Sequence, residues 1–245
     1  MPFYKITHHA ERRFATLHNF GCTFRCSVCS YKLRSGADGI PGQSFPRPDR
    51  FLTVEEMKTA LRQVKIEQLF VMGGEPTIAR ELPEMLAFAK NELGVKTFLG
   101  HTNGSKLPLP NLDGANVGLK AWDAGLHRAY TGRDKDAIFN NFAAAFRQGL
   151  EMKANVVFIP GYVDLDQVEA VAEWLAKLSP DIPFHIMGYI PVPGQPYAQP
   201  TVEQMRQAEA VSRKHLAKVD SSHLDPKQAT DLASRDNRFA VTRIA

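Results

Sequence analysis

All three cysteines of the chain, Cys22, Cys26 and Cys29, fall in one short run, Asn19-Phe20-Gly21-Cys22-Thr23-Phe24-Arg25-Cys26-Ser27-Val28-Cys29-Ser30-Tyr31. Gathering every thiol into one loop is the pattern of a metal site. Three is an odd number, and the intervening segments are too tight for unstrained disulfides. Thiolates at this spacing can hold three corners of an iron-sulfur cube. A four-iron cluster ordinarily takes four cysteine ligands, so three would leave one iron with an open position, where chemistry can occur. Thiolate softness suits zinc equally. On spacing alone three readings stay open: a cluster, a zinc site completed by His18, His101 or another histidine, and a loop of inert reduced thiols.

Two further groups carry chemistry. Leu69-Phe70-Val71-Met72 reads as a buried strand running into Gly73-Gly74-Glu75-Pro76, and Thr97-Phe98-Leu99-Gly100 leads through His101 into Thr102-Asn103-Gly104. Glycines let backbone approach a ligand closely and adopt unusual dihedrals. Backbone carbonyls there, with the Glu75 carboxylate, can accept from an ammonium group. The plain alternative for Gly-Gly-Glu-Pro is a turn between strand and helix.

The elements that must position these groups alternate along the chain. Phe14–Phe20 is strand-like. Thr53 and Glu56 form a capping-box pattern ahead of Val54, Met57, Leu61 and Val64 on one helical face. A helix is predicted over Glu81–Leu93, ended by Gly94 at the left-handed cap, then a strand over Ala115–Trp122, a helix over Ala137–Met152 and a strand over Ala154–Ile159. Asp164 and Gln167 open a helix with an apolar stripe from Leu165 to Leu178. Phe184–Tyr189 is the sixth strand and Thr201–Val219 the last long helix. Six strand-helix units predict an α/β fold with a parallel sheet and helices outside, because parallel neighbours need crossovers. Such folds bind ligands at the carboxyl ends of strands. Phe139, Phe142 and Phe146 read as core packing of a helix, and His8-His9 with Glu11-Arg12-Arg13 as a solvated face. The Pro/Gly-rich stretch Ser35–Asp49 is a long insertion, expected to lie over the cysteine loop.

The 245 residues read as one domain, with a core over about 14–219 and a tail over 220–245. No apolar run approaches the ~20 residues of a membrane span, and no signal peptide is expected. The net charge of +4 is too small and dispersed to argue for nucleic acid. Cysteines kept as metal ligands imply a reducing cytoplasm.

The C-x3-C-x2-C spacing, followed in order by Gly-Gly-Glu-Pro and Thr-Asn-Gly at successive strand ends, resembles the signature of the radical S-adenosylmethionine (radical SAM) enzymes. That resemblance implies an open partial (β/α)6 barrel, a 4Fe-4S cluster on Cys22, Cys26 and Cys29, and S-adenosylmethionine (SAM) held near Gly73, Gly74, Glu75, His101, Asn103 and Lys120. It also implies a one-electron donor such as flavodoxin or ferredoxin, and reductive cleavage of SAM to a 5′-deoxyadenosyl radical that abstracts hydrogen. Val28 stands where the family usually has an aromatic beside the adenine.

Within the family, Gly118-Leu119-Lys120, His127 through Thr131-Gly132, and Val156 through Gly161 followed by Asp164 resemble the short activating enzymes of glycyl radical enzymes, such as the pyruvate formate-lyase activase. By position, Lys120 would approach the carboxylate or ribose of SAM. The chain departs from that pattern at four positions. His101 and Gly118 replace aspartates that can help to hold a cation, Asn155 replaces an arginine, and Ile190 replaces a histidine. These changes point to direct charge balance by His101 or Lys120, and to a remodelled cleft. A glycyl radical enzyme is one implied partner; the alternative is a small molecule of nucleoside or cofactor biosynthesis. Other classes, an iron-sulfur electron carrier or a zinc protein, would not need the two strand-end motifs.

Overall fold

The computed structural model describes residues 2–234 and 240–245. Its strands are β1 (Phe3–His9), β2 (Phe14–Asn19), β3 (Gln68–Gly73), β4 (Lys96–Thr102), β5 (Gly114–Gly118), β6 (Glu151–Phe158), β7 (Phe184–Gly188), β8 (Val219–Ser222) and β9 (Thr242–Arg243). The helices are α1 (Lys32–Ser35), α2 (Val54–Arg62), α3 (Leu82–Asn91), α4 (Ala124–Thr131), α5 (Lys135–Arg147), α6 (Leu165–Leu178), α7 (Val202–Arg213) and α8 (Pro226–Ser234). One sheet runs in the order β8-β7-β6-β5-β4-β3-β2-β1-β9. Strands β2 to β8 are all parallel, while β1 and β9 add antiparallel pairs at one edge. The edge strands β8 and β9 do not pair with each other, so the sheet is an open barrel.

Alternation decides which residues meet the helices. Leu69, Val71, Leu99, Val117, Val156, Phe158, Phe184 and Ile186 are buried. They meet the apolar stripes of the helices, including Met57 and Leu61 of α2, Met85 and Leu86 of α3, and Val171 and Leu175 of α6. Phe14, Phe70 and Phe98 come from the other alternation. Their rings pack across β2, β3 and β4 at 5.5 and 5.4 Å, an aromatic layer below the strand ends. Phe139 and Phe142 are buried against Trp174 of α6, as core packing requires. Capping follows the predicted boxes: Thr53 with Glu56 opens α2, and Thr201 with Gln204 opens α7.

The structure adds and trims elements. The predicted barrel had six strands; β8 makes a seventh parallel one. The helix expected over Ala137–Met152 stops at Arg147, because Gly149 takes φ 86° and Met152 already alternates with Ala154 in β6. The one expected over Thr201–Val219 ends at Arg213, and Val219 opens β8 beside Phe184. The strand predicted over Ala115–Trp122 ends at Gly118. Helix α4 and strand β1 had not been expected. His9, read as part of a solvated face, is instead buried in β1 against Phe14 and accepts from the Arg12 amide, whereas Glu11, Arg12 and Arg13 are exposed. The tail folds back: α8 packs against α1, and β9 clips onto β1 through the Ile6–Ala245 and Ile244–Ile6 backbone bonds. Among the described residues no helix is long and apolar enough to cross a membrane.

Candidate cofactor and active site

Glu75 ties the strand ends together. It is 0% exposed, and its carboxylate accepts from the Thr77 amide (3.0 Å), the Thr77 and Thr102 hydroxyls (2.7 and 2.8 Å) and the Asn103 amide (2.6 Å). The Asn19 amide group donates to the Glu75 carbonyl at 3.0 Å, and the Glu75 amide donates to the Gly21 carbonyl at 2.8 Å. One residue thus joins three strand ends: the backbone of Glu75, at the end of β3, bonds to the end of β2, and its carboxylate bonds to the end of β4. A polar group so deep is tolerable only with this many hydrogen-bond partners.

The cysteine loop hangs from that frame and from α4. Asn103 Nδ2 donates to Thr23 Oγ1 at 2.9 Å and lies 3.9 Å from Cys22 Sγ, while the Phe24 amide points at the same sulfur at 3.4 Å. The Arg25 amide donates to the Thr131 carbonyl, and Arg133 Nε donates to the Thr23 carbonyl. The Phe24 ring meets His127 edge-on at 5.9 Å. Gly132, at φ 72°, ends α4 in the left-handed cap that turns Arg133 back towards Thr23.

The glycines serve this packing. A Cβ at Gly74 would come within 2.1 Å of the Gly21 carbonyl oxygen and 2.7 Å of that of Gly42; one at Gly73, where φ is 138°, would meet the Asn19 carbonyl oxygen at 2.2 Å. What approaches these glycines closely is the neighbouring backbone.

Above the frame lies a cavity of about 310 Å³. Cys22, Cys26 and Cys29 line it together with Val28, Gly73, Gly74, His101, Asn103 and Lys120. Pro41 and Gly42 of the long insertion form part of its wall, and Val157, Met187, Tyr189 and Ile190 come from the ends of β6 and β7. Among the described residues Lys120 is the one lysine or arginine in this lining, which includes no Asp or Glu.

A family model, the radical SAM superfamily, matches residues 16–175. The chain belongs to the radical SAM superfamily. It is 26% identical over 230 residues to a protein of Methanocaldococcus jannaschii provisionally named glycyl-radical enzyme activating enzyme, covering 89% of this chain and 84% of that one. Its fold is similar to a radical SAM methyltransferase from Sphaerobacter thermophilus, with a TM-score of 0.62 at 20% identity over 89% of this chain and 68% of that one. A domain of a pyruvate-formate lyase-activating enzyme from Bacteroides vulgatus gives a TM-score of 0.50 at 19% identity, covering 62% of this chain and 97% of that domain.

The radical SAM family implies a 4Fe-4S cluster and SAM, and the site fits both. Three soft donors face one cavity whose lining supplies a cation and no carboxylate. A cube spreads its cysteine ligands wider than a single ion does. Among the described residues no three His, Cys, Asp or Glu side chains gather as one metal ion would require. Burial pushes the Cys22 thiol up and that of Cys26 up to about 12, each against a lowering pull from Lys120. Without metal these side chains are thiols; bound iron, as a concentrated positive charge, would favour thiolates.

Of the residues expected to bind SAM, Val28, Gly73, Gly74, His101, Asn103 and Lys120 share the cavity. Glu75 departs from expectation, because its carboxylate is committed to the strand ends and is not part of the lining. His101 also departs from the charge balance expected of it. Deep in the barrel, burial, with Lys120 and His185 nearby, lowers its pKa to about 4, so it is neutral at pH 7. Lys120 is the lysine that lines the cavity among the described residues. A Cβ at Gly118 would sit 2.9 Å from Lys120 Nζ and 3.3 Å from Asn155 Oδ1. The ammonium thus occupies the space beside that position. Sequence reasoning missed Tyr130, Met187 and Tyr189 in the cavity wall, and Asn19, Thr23 and Arg133 in the supporting bonds. The Thr131-Gly132 end of α4 was the one local signal available.

Proposed function

We propose that this chain binds a 4Fe-4S cluster through Cys22, Cys26 and Cys29, cleaves SAM reductively, and uses the radical to remove a hydrogen atom from a glycine of a partner glycyl radical enzyme. The observation that carries the reading is the single cavity shared by the three thiols, the two strand-end motifs and Lys120. When bound, cluster and SAM together supply, on one-electron reduction, a 5′-deoxyadenosyl radical. The protein's work is positional. Lys120 neutralises the carboxylate of SAM, and the Gly73-Gly74 backbone receives its amino group. Asn103 holds the cysteine loop in register with that backbone. Val157, Met187 and Ile190 form an apolar wall that keeps water from a reactive centre.

The activase half of the proposal is supported by the Methanocaldococcus relative, which aligns along most of both chains. Its test is incubation of anaerobically reconstituted protein with SAM, reductant and a candidate glycyl radical enzyme from the same genome. A glycyl doublet by electron paramagnetic resonance is expected. A second reading, a small-molecule substrate, is favoured by the cavity itself, whose volume of about 310 Å³ is that of a small-molecule pocket. Cleavage of SAM without any glycyl signal, together with a modified metabolite, would select that reading.

A further inference from the structure

Strands β7 and β8 pair in parallel, with His185 opposite Asp220 and Met187 opposite Ser222. Alternation puts His185, Asp220 and Ser222 on one side of the sheet, away from buried Phe184, Ile186 and Val219. It is the side from which Met187 lines the cavity, while Ser221 on the other side donates to Glu209 of α7. The three side chains are joined in line. Asp220 Oδ2 lies 3.0 Å from His185 Nδ1, and Ser222 Oγ lies 2.9 Å from His185 Nε2. A carboxylate can only accept, so in the neutral ring Nδ1 carries the proton and Nε2 keeps a lone pair for the Ser222 hydroxyl. An acid on one ring nitrogen and a hydroxyl on the other is the order in which an imidazole makes a serine nucleophilic. The surroundings leave the group reachable. Strand β8 ends the sheet on that edge, Asp220 is exposed, and His185 and Ser222 are half-buried. The His223 amide is separated from Ser222 Oγ only by the atoms of Ser222 itself, and among the described residues nothing accepts from it. It holds the chain position from which the residue after a nucleophilic serine can donate to a developing oxyanion.

We propose that Ser222, His185 and Asp220 form a second site, an acyl-transfer centre that cleaves small carboxylic esters at the open edge of the barrel. Ser222 Oγ attacks the carbonyl carbon while His185 Nε2 takes the hydroxyl proton. The tetrahedral adduct collapses, the bond from that carbon to the leaving oxygen breaks, and the proton passes to the departing alcohol. Water, deprotonated by the same nitrogen, then attacks the acyl-serine, releases the carboxylic acid and restores Ser222. Electrons move only in pairs and no oxidant or reductant is consumed. The site therefore needs neither cluster nor SAM and goes beyond the proposed radical reaction.

The test uses the full-length reconstituted protein without SAM, reductant or added thiol, with p-nitrophenyl acetate as the ester and a fluorophosphonate as the probe of an activated serine. Wild-type protein is expected to release p-nitrophenol with saturable kinetics and to carry the phosphonate on Ser222 in a tryptic digest. Ser222→Ala and His185→Gln should each lower ester cleavage about a hundredfold, and Asp220→Asn, which alters only the orienting carboxylate from an exposed position, about tenfold. Melting curves accompany each variant, and loss of cleavage at an unchanged Tm supports the site. If Ser222→Ala is destabilised, wild-type labelling decides: phosphonate on Ser222 supports the site. A wild-type Ser222 that stays unlabelled, or cleavage that persists undiminished in Ser222→Ala, would overturn it, because hydrogen bonds that merely brace two strands confer no nucleophilicity. Failure of wild-type protein to cleave SAM on reduction would count against the proposed function alone, since labelling and ester cleavage are read without it.

Discussion

The ends of β2, β3 and β4 and the ends of β5, β6 and β7 line the same cavity but are built differently. On the first side each turn is bonded to the next: Asn19 to Glu75, Glu75 to Thr102 and Asn103, Asn103 to Thr23, with glycine backbones too close for any side chain. On the second side Lys120, Val157, Met187 and Ile190 reach the cavity with few side-chain bonds among them. Asn155, 1% exposed, even keeps an unpartnered Oδ1. A frame that must hold one cofactor in one pose is over-determined, whereas a wall that adapts to a substrate is not. Changes to the bonds and glycines that tie the first side together should therefore damage cluster and fold together, changes to the thiols themselves should cost the cluster alone, and changes on the second side should alter binding alone.

The largest effect should come from the cysteines. Alanine at Cys22, Cys26 or Cys29 should abolish SAM cleavage and strip the iron-sulfur absorbance, with near-wild-type circular dichroism. Retained cleavage in Cys26→Ala would break the comparison at its root. Next is Gly74→Val. The Gly21 and Gly42 carbonyls leave no room, so the cysteine loop must be displaced, and both stability and cluster content should fall, by about 3 kcal/mol or more for the former. A variant that held its cluster and lost only SAM binding would show that the glycine faces ligand.

Glu75→Ala leaves two buried amides and two hydroxyls short of an acceptor. The cost should be about 3 kcal/mol, or roughly 10 °C in Tm, with Glu75→Gln retaining part of it. An unchanged Tm with weaker SAM binding would restore the ligand role read from the sequence. On the other side, Lys120→Met should raise the Kd for SAM about tenfold and leave Tm and cluster absorbance unaltered.

The superfamily was legible because its signals are local. Cysteine spacing, Gly-Gly-Glu-Pro and Thr-Asn-Gly each occupy a few consecutive residues, and the capping boxes of α2 and α7 do too. What was not legible depends on partners distant in sequence. Glu75 looks like a ligand until Thr102, 27 residues on, is brought to its carboxylate, and Thr23 looks idle until Asn103 arrives across 80 residues. Strands β1, β8 and β9 are short or lie beside charged turns, and only their pairing defines them. Helix α7 was overextended because Leu216 and Val219 continue its apolar spacing although they are buried by a turn and a strand.

The smallest predicted effect is acidic. His101, with its folded pKa lowered to about 4 by burial, takes up a proton in the unfolded chain first. Its neutrality therefore costs stability as pH falls from about 6.5 to about 4. His101→Gln should remove that share of the acid loss of Tm and leave behaviour above pH 7 unaltered; parallel pH profiles would place the imidazole in water.

Three thiols, with no fourth, must hold a cluster that opens SAM. Iron and sulfide content of the anaerobically reconstituted chain, measured with 5′-deoxyadenosine formed after dithionite reduction, tests this most directly. The prediction is about four iron and four sulfide per chain, with 5′-deoxyadenosine accumulating only when SAM and reductant are both present. One zinc per chain, or a full cluster that leaves SAM intact, would contradict it.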